Sequence, residues 1–221
     1  MIIIMNTNSA TLYSIGHSNH SVEQFISLLK SKGIHCLVDV RSTPYSKRLF
    51  QFNRESITRD LAKLSILYQY KGDSLGGRYT NPALLTGDGQ VDYGKVMQEN
   101  SFQKGLDELI KLASSGKKIA FMCAEKDPFD CHRFALVSRA LVLKGKHVCH
   151  ILADGKVIEQ ADIEKRLLLK YRSDYDQMDL FAGASSREEV LSEAYAMRGK
   201  DIASIGFKNE GWRTSLTGEV A

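Results

Sequence analysis

The chain is poor in proline and cysteine and contains no long hydrophobic run. Its 221 residues include three prolines, four cysteines and one tryptophan. So few prolines argue against a long disordered linker, and no apolar stretch approaches the roughly 18 residues that a membrane-spanning helix needs. The opening MIIIM is too short for a signal-peptide core and lacks a basic flank and a cleavage site. We therefore expect a cytoplasmic protein whose cysteines are thiols.

The rest of the composition is that of an ordinary globular protein. Hydrophobic residues make up 43% of the chain and charged residues 25%, which is the usual range. The length suffices for one well-buried α/β domain and a small appendage. The formal net charge of +4 permits a polyanionic partner without requiring one.

Short apolar segments alternate with amphipathic ones along most of the chain. The predicted strands are residues 11–17, 36–42, 66–70, 118–123 and 147–154. The predicted helices are residues 21–33, 52–65, 94–115, 128–144 and 156–170, with a short one near 186–198. This alternation predicts a mostly parallel sheet with helices on both faces, in three layers. The glycine-rich segment 72–89 is predicted to be a loop, and the chain divides into a domain over 1–170 and an extension over 171–221.

Polar residues follow the predicted strands at the edge where ligands bind in parallel sheets. They are His17 and Ser18 after the first strand, Asp39 and Arg41 after the second, Gly76, Gly77 and Arg78 after the third, and Cys123 and Glu125 after the fourth. We expect His17 to act as a general acid or base, because an imidazole titrates near neutral pH. Asp39 is expected to orient a neighbouring group, or else to pair with an arginine and only hold the loop.

The stretch FMCAEKDPFDCHRF, residues 121–134, places Cys123 before a predicted helix start at Asp127 and Pro128. Free N–H groups at such a start, together with Arg133, favour a thiolate or an anionic substrate. Cys123 is therefore a candidate nucleophile, and the alternative is an inert buried cysteine. His132 or Arg133 is expected to face the cleft, and Cys131 the core. No metal or cofactor is predicted, since no CxxC pair is present.

A loop that follows the second predicted strand interleaves basic and aromatic residues. Tyr45, Arg48 and Arg54 lie within STPYSKRLFQFNRE. Such a mixture suits contacts to phosphates and bases, and it also suits an ordinary amphipathic flap. The first interpretation predicts an anion-contacting loop.

Several of these motifs together resemble one family. The stretch from YSIGHSNHSVEQF to FQFNRE, the LGGRY motif and CAEKDPFDCHR occur in order over about residues 13–155 and resemble the uncharacterised DUF488 family. The resemblance implies an α/β domain and no established reaction. LVDVRSTPYS and the region from Cys123 to Arg133 are also similar to rhodanese domains, although nine residues separate this cysteine from this arginine.

The segment QMDLF looks like the pentapeptide with which bacterial proteins bind the replication clamp. Gln177 would supply hydrogen bonds, while Leu180 and Phe181 would enter a hydrophobic pocket, and Met178 is a further partner-binding residue of the segment. If this likeness is functional, the protein works near replicating or repaired DNA.

Three functions are compatible with these features. The first is an enzyme that acts on a nucleotide or nucleic acid by group transfer or hydrolysis at an anion-binding site. The second is a non-catalytic nucleotide or nucleic-acid binding module recruited to a clamp. The third is a rhodanese-like sulfurtransferase that uses Cys123. Depression of the Cys123 thiol pKa would favour an enzyme over a binding module.

Overall fold

The computed structural model describes residues 11–172 and 184–209, and the strands in these ranges form one six-stranded sheet. The strands are β1 (Leu12–Gly16), β2 (Cys36–Asp39), β3 (Leu67–Tyr70), β4 (Ile119–Cys123), β5 (Val148–Ile151) and β6 (Val157–Glu159). Their order is β3-β2-β4-β1-β5-β6. Neighbouring strands are parallel except for the antiparallel pair β5 and β6. The predicted α/β class with a mostly parallel sheet is confirmed.

Helices cover both faces of the sheet. They are α1 (Val22–Ser31), α2 (Arg54–Ala62), α3 (Gly72–Leu75), α4 (Tyr93–Val96), α5 (Asn100–Ser114), α6 (Arg139–Leu143), α7 (Gln160–Tyr171) and α8 (Ala184–Asn209). Side chains of α1 and α2 pack on one face with Leu37 and Met122. Side chains of α5 to α8 pack on the other face with Val38 and Phe121. Alternate residues of the buried strands therefore serve two cores, which gives the three predicted layers.

Helix α1 begins where its sequence predicts. The Ser21 hydroxyl accepts a hydrogen bond from the Gln24 N–H, and the Gln24 side chain accepts one from the Ser21 N–H. This reciprocal pair satisfies two N–H groups that would otherwise lack partners. Phe25 and Leu29 then lie on the buried face of the helix, and Gly33 ends it with a φ of 65°.

The helix predicted to start at Pro128 starts later. Residues Pro128–Asp130 form a single 3-10 turn, Cys131 is extended, and a π-helical segment, Arg133–Ser138, leads into α6. A continuous helix would use the Phe129 carbonyl as an acceptor within the helix. That carbonyl instead accepts a hydrogen bond from the Arg198 Nε of α8 at 3.0 Å. The prediction was wrong because it ignored this long-range contact.

Other differences from the predicted elements are local. The segment predicted as one helix over 156–170 begins with β6, since Gly155 adopts a φ of 82° and turns the chain back along β5. The predicted helix over 94–115 is divided between α4 and α5, and the predicted loop over 72–89 contains the one-turn helix α3.

Helix α8 lies beyond the predicted domain boundary and packs on the same core as the sheet. Its buried residues include Val190, Ala194 and Tyr195. Arg198, which is 2% exposed, pairs with Asp130, and its guanidinium lies 4.2 Å from the ring centroid of Phe129. Within the described ranges, no helix combines the length and the apolar character needed to cross a bilayer.

Candidate functional site

The carboxyl ends of three neighbouring strands form the floor of the candidate site. Strand β4 lies between β1 and β2, and hydrogen bonds continue beyond the strands. The His17 N–H donates to the Cys123 carbonyl at 2.9 Å, and the Val40 N–H donates to the Met122 carbonyl at 3.0 Å. Residues that follow β1, β2 and β4 are thereby held side by side, as the predicted topology requires.

Cys123 and His132 form a buried thiol–imidazole pair. The Sγ of Cys123 lies 3.5 Å from Nδ1 of His132. The other ring nitrogen, Nε2, lies 3.0 Å from the Val40 carbonyl, so Nε2 carries the proton and Nδ1 of the neutral ring is an acceptor. The side chains are almost fully buried, with exposed fractions of 7% for Cys123 and 8% for His132. The carbonyl thus fixes the imidazole with its acceptor directed at the thiol.

Cys131 joins this pair instead of serving only as a core residue. Its Sγ lies 3.8 Å from the same Nδ1. A hydrogen bond from the Cys131 thiol lowers the pKa of Cys123, while burial opposes the shift and the Arg133 charge and the Ala124 N–H assist it. Burial and the neighbouring Cys123 raise the pKa of Cys131 well above its ordinary value. Cys123 is therefore the more acidic thiol, and Cys131 is the donor that stabilises its thiolate.

His17, Asp39 and Arg41 form a second buried group beside the first. Arg41 makes a bidentate contact to the Asp39 carboxylate, with Nε to Oδ1 at 2.9 Å and Nη2 to Oδ2 at 2.6 Å. Asp39 also accepts a hydrogen bond from the Tyr68 hydroxyl at 2.7 Å. Arg41 donates further to the Phe52 carbonyl at 2.8 Å. Pairing of this kind offsets the cost of burying the carboxylate and the guanidinium.

Both ring nitrogens of His17 have partners. Nδ1 lies 2.9 Å from the carbonyl of Ser18, and Nε2 lies 3.1 Å from Nη1 of Arg41. The ring stacks on Phe52 with the centroids 4.4 Å apart. Burial, and then the charge of Arg41, lower the pKa of His17 to about 4. The imidazole is consequently neutral near pH 7, and its lone pair accepts the hydrogen bond from Arg41. Ser18, whose carbonyl binds Nδ1, has a left-handed backbone with a φ of 49°.

Arg133 holds the loop that follows Cys123. The side chain is fully buried, and its guanidinium donates to the carbonyls of Glu125 at 2.6 Å and Lys126 at 3.1 Å. The Glu125 carboxylate belongs to an exposed residue. A Cβ on Gly16 would lie 1.8 Å from the Glu125 carbonyl oxygen, so glycine is required where this loop crosses β1. Arg133 thus binds backbone carbonyls instead of facing an open cleft.

The loop after α3 covers His132. A Cβ on Gly77 would lie 2.7 Å from Cγ of His132, and one on Gly76 would lie 2.4 Å from the Ser42 hydroxyl oxygen. The same hydroxyl accepts a hydrogen bond from the N–H of Arg78 at 3.1 Å. Arg78 is exposed, and its backbone follows Gly77, which lies against His132.

Tyr93 is a residue that sequence reasoning did not select. Its side chain is buried, and burial followed by the charges of Cys131 and Cys123 raises its pKa. Arg78 acts on the same hydroxyl in the opposite direction. The charges of both thiols thus act on the Tyr93 hydroxyl, and Tyr93 belongs to a four-residue helix whose sequence, YGKV, resembles no catalytic motif.

The loop after β2 lies apart from the thiols. Tyr45 donates to Glu55 at 2.7 Å, and the guanidinium of Arg54 lies 4.9 Å from the centroid of Tyr70. Arg48 is exposed. Over residues 11–172 and 184–209, none of these three forms a hydrogen bond or an ion pair with Cys123 or His132. The loop presents cations and aromatic rings at the surface without contacting the candidate nucleophile.

Within residues 11–172 and 184–209, two groups of side chains have the composition and spacing to hold a metal ion. One is Cys123, Cys131 and His132, and the other is His147, Cys149 and Glu159. Within each group the ligand atoms lie within 4.8 Å of one another. The predicted clamp-binding residues Gln177, Met178, Leu180 and Phe181 lie outside the described residues.

The comparisons with known proteins identify a family and no relative. Neither a curated protein nor a solved structure matches the chain. The model of the domain of unknown function DUF488 matches residues 21–140. This stretch contains Asp39, Arg41, Cys123 and the His132 that pairs with it. Because the match covers more than half of the 221 residues, the chain belongs to the DUF488 family.

Proposed function

We propose that the protein is a thiol-dependent enzyme in which Cys123 attacks an electrophilic centre of an anionic substrate of the nucleotide or nucleic-acid class. The observation that carries this proposal is the 3.5 Å contact between Sγ of Cys123 and Nδ1 of His132, a ring held by the Val40 carbonyl. A cysteine with an adjacent, oriented imidazole is the arrangement that activates a thiol as a nucleophile. The reaction is group transfer, or hydrolysis when water is the acceptor.

The pair supplies both proton transfers of such a reaction. Nδ1 of His132 takes the Cys123 proton as the sulfur bonds to the electrophile, and the same proton then passes to the departing group. In the second step His132 takes a proton from the acceptor, whose oxygen or nitrogen displaces Cys123 and releases the thiolate. The Cys131 thiol, a hydrogen-bond donor to Cys123, stabilises the sulfur as it loses its proton and again when the thiolate is released.

Exposed cations that follow β2 and α3 in the chain support an anionic substrate. Arg78 follows α3, Arg48 lies in the loop after β2, and Arg54 begins α2. Tyr45 and Phe50 in that loop are 52% and 68% exposed. Arginines bind phosphate oxygens and exposed rings stack on bases, so a nucleotide is the substrate class that uses both features. Arg41 and Arg133 are bound by protein groups and are assigned positioning roles.

Sulfur transfer by a Cys123 persulfide is the second candidate function. It is favoured by the placement of a thiol at the end of β4, followed by an arginine in the same loop. The backbone argues against it, because a rhodanese surrounds its anion with N–H groups, whereas the Glu125 and Lys126 carbonyls are turned to Arg133. Conversion of thiosulfate and cyanide to thiocyanate, lost on Cys123→Ser, would favour this candidate.

Alkylation of Cys123 by charged and neutral reagents tests the proposal. Mass spectrometry would follow the labelling of the reduced, full-length chain by iodoacetate and by iodoacetamide. We expect Cys123 to react faster than Cys36, whose pKa burial raises to about 11. We also expect Cys123 to prefer iodoacetate over iodoacetamide more strongly than the thiol of glutathione does. Mononucleotides or short oligonucleotides should slow the labelling, and Arg78→Gln should weaken the preference.

Three outcomes would overturn parts of the proposal. If Cys123 is labelled no faster than Cys36, Cys123 is not the nucleophile. A preference for iodoacetate equal to that of glutathione, together with no protection of Cys123 by nucleotides, would contradict an anionic substrate. Slow labelling combined with nucleotide protection would support the non-catalytic binding module instead.

A further inference from the structure

A second thiol lies where it can trap an oxidised Cys123. The sulfurs of Cys123 and Cys131 lie 3.5 Å and 3.8 Å from the same nitrogen of His132. The three ligand atoms lie within 4.8 Å of one another, so the two sulfurs are also this close. The proposed function uses Cys131 only as a hydrogen-bond donor, and this geometry also allows the two sulfurs to react with each other.

We propose that Cys123 and Cys131 form a redox-active dithiol that hydroperoxides oxidise to a disulfide, which inactivates the nucleophile. The inference rests on the proposed function in one respect, since it takes Cys123 as the reactive thiol. It adds a substrate of a different class, a hydroperoxide, and assigns Cys131 a chemical role. Cys123 meets the oxidant first because it is 7% exposed, whereas Cys131 is 1% exposed.

The oxidation proceeds in two balanced steps. Nδ1 of His132 takes the Cys123 proton, the sulfur attacks the outer oxygen of the hydroperoxide, an S–O bond forms and the O–O bond breaks. The departing alkoxide or hydroxide takes a proton from His132, and Cys123 becomes a sulfenic acid while the peroxide is reduced to an alcohol or water. The Cys131 sulfur then attacks that sulfur, an S–S bond replaces the S–O bond, and water leaves with the Cys131 proton. A small thiol reductant restores both thiols by exchange.

The backbone around Cys131 is suited to the movement that this closure requires. The sulfurs must approach from within 4.8 Å to a bond length of about 2.05 Å. Cys131 is an extended residue between a 3-10 turn and the π-helical segment Arg133–Ser138. Its Sγ accepts only a weak hydrogen bond from the Arg133 N–H, at 3.5 Å. The side chain can therefore turn without breaking a regular helix.

Peptide mapping after oxidation tests the inference. The reduced, metal-free full-length chain is treated with one equivalent of hydrogen peroxide. We expect the loss of two hydrogen atoms and a link between tryptic peptides 119–126 and 127–133, which carry Cys123 and Cys131. The link should disappear on reduction and be retained in Cys149→Ser. In Cys131→Ser, dimedone should instead label a sulfenic acid on Cys123.

The failure of this inference is distinguishable from the failure of the proposed function. Fast alkylation of Cys123 without a disulfide, and equal dimedone labelling in the parent chain and Cys131→Ser, would overturn the dithiol and leave the nucleophile intact. Slow alkylation would remove the nucleophile itself. A stoichiometric zinc ion that resists chelation and is lost on His132→Gln would also overturn the dithiol, because coordinated sulfurs do not close.

Discussion

Arg41 donates a hydrogen bond to His17, with Nη1 and Nε2 3.1 Å apart. The histidine selected from the sequence as the general acid or base therefore has its lone pair occupied by a cation. Its other nitrogen is bound to the Ser18 carbonyl. The second histidine of the site, His132, directs its acceptor nitrogen at Cys123. In the proposed mechanism, His17 therefore has a positioning role and His132 transfers the proton.

Replacing the two histidines separately tests this division of roles. We expect His132→Gln to slow alkylation of Cys123 by roughly tenfold or more near pH 7, because the sulfur loses its proton acceptor. His17→Gln should change the rate far less, since His17 does not contact the sulfur. Thermal unfolding of each variant controls for misfolding. Equal rates in the parent and His132→Gln would contradict the assignment.

The close approach of Gly77 to His132 predicts a steric effect on reactivity. A methyl group at residue 77 would lie 2.7 Å from Cγ of the ring, which forces the ring or the loop to move. We expect Gly77→Ala to slow alkylation of Cys123 and to cost about 1–3 kcal/mol in the free energy of unfolding. Gly87→Ala is the matched control, because a Cβ there meets no atom within 4 Å. Identical behaviour of the two variants would show that the loop does not hold the ring.

A buried histidine outside the site predicts how stability depends on pH. His150 lies 2.6 Å from the Ser14 hydroxyl and 2.6 Å from Oε1 of Gln160, and burial lowers its pKa to about 3. The unfolded chain binds a proton near pH 6.5 and the folded chain does not, so stability falls as the pH falls below about 6.5.

The measurement is urea unfolding between pH 4.5 and pH 7. His150 should contribute a slope of about 1.4 kcal/mol per pH unit below about pH 6. His150→Asn should be less stable at pH 7 and should show a shallower loss of stability towards low pH. Parallel curves for the parent chain and the variant would show that His150 is already protonated in the folded state.

The contacts of Arg198 predict that α8 stabilises the turn that precedes Cys131. Arg198 donates to the Phe129 carbonyl at 3.0 Å, pairs with Asp130 and lies over the Phe129 ring. Arg198→Met should destabilise the chain by about 2 kcal/mol, because a buried carbonyl loses its donor. Met197→Ala, at a residue that is 50% exposed, is the control and should cost less. A neutral Arg198→Met variant would contradict the role of this contact in fixing the turn.

The predictable part of the structure is the part set by local pattern. The capping pair Ser21 and Gln24 and the alternation of apolar strands with amphipathic helices place α1 and the sheet. Polar residues following β1, β2 and β4 meet at one edge because that follows from parallel topology. Such features are encoded within a few residues of each other.

The parts that could not be predicted depend on contacts distant in sequence. The late start of the helix after Cys131 depends on Arg198 in α8. The pairing of Cys123 with His132 depends on the Val40 carbonyl, which follows β2, and the engagement of Arg133 depends on how the loop folds back over Gly16. Cys131 lies in the core as expected, and its contact with His132 was missed because helical spacing was applied to a residue that is extended.

The pH dependence of Cys123 alkylation tests the central claim most directly. The rate of labelling by iodoacetamide would be measured by mass spectrometry in the parent chain, Cys131→Ser and His132→Gln. The account predicts a midpoint in the parent chain below the value of about 8.5 for an unperturbed cysteine, and a higher midpoint in both variants. A parent midpoint at or above that value, with all three profiles superimposed, would show that Cys123 is a structural thiol.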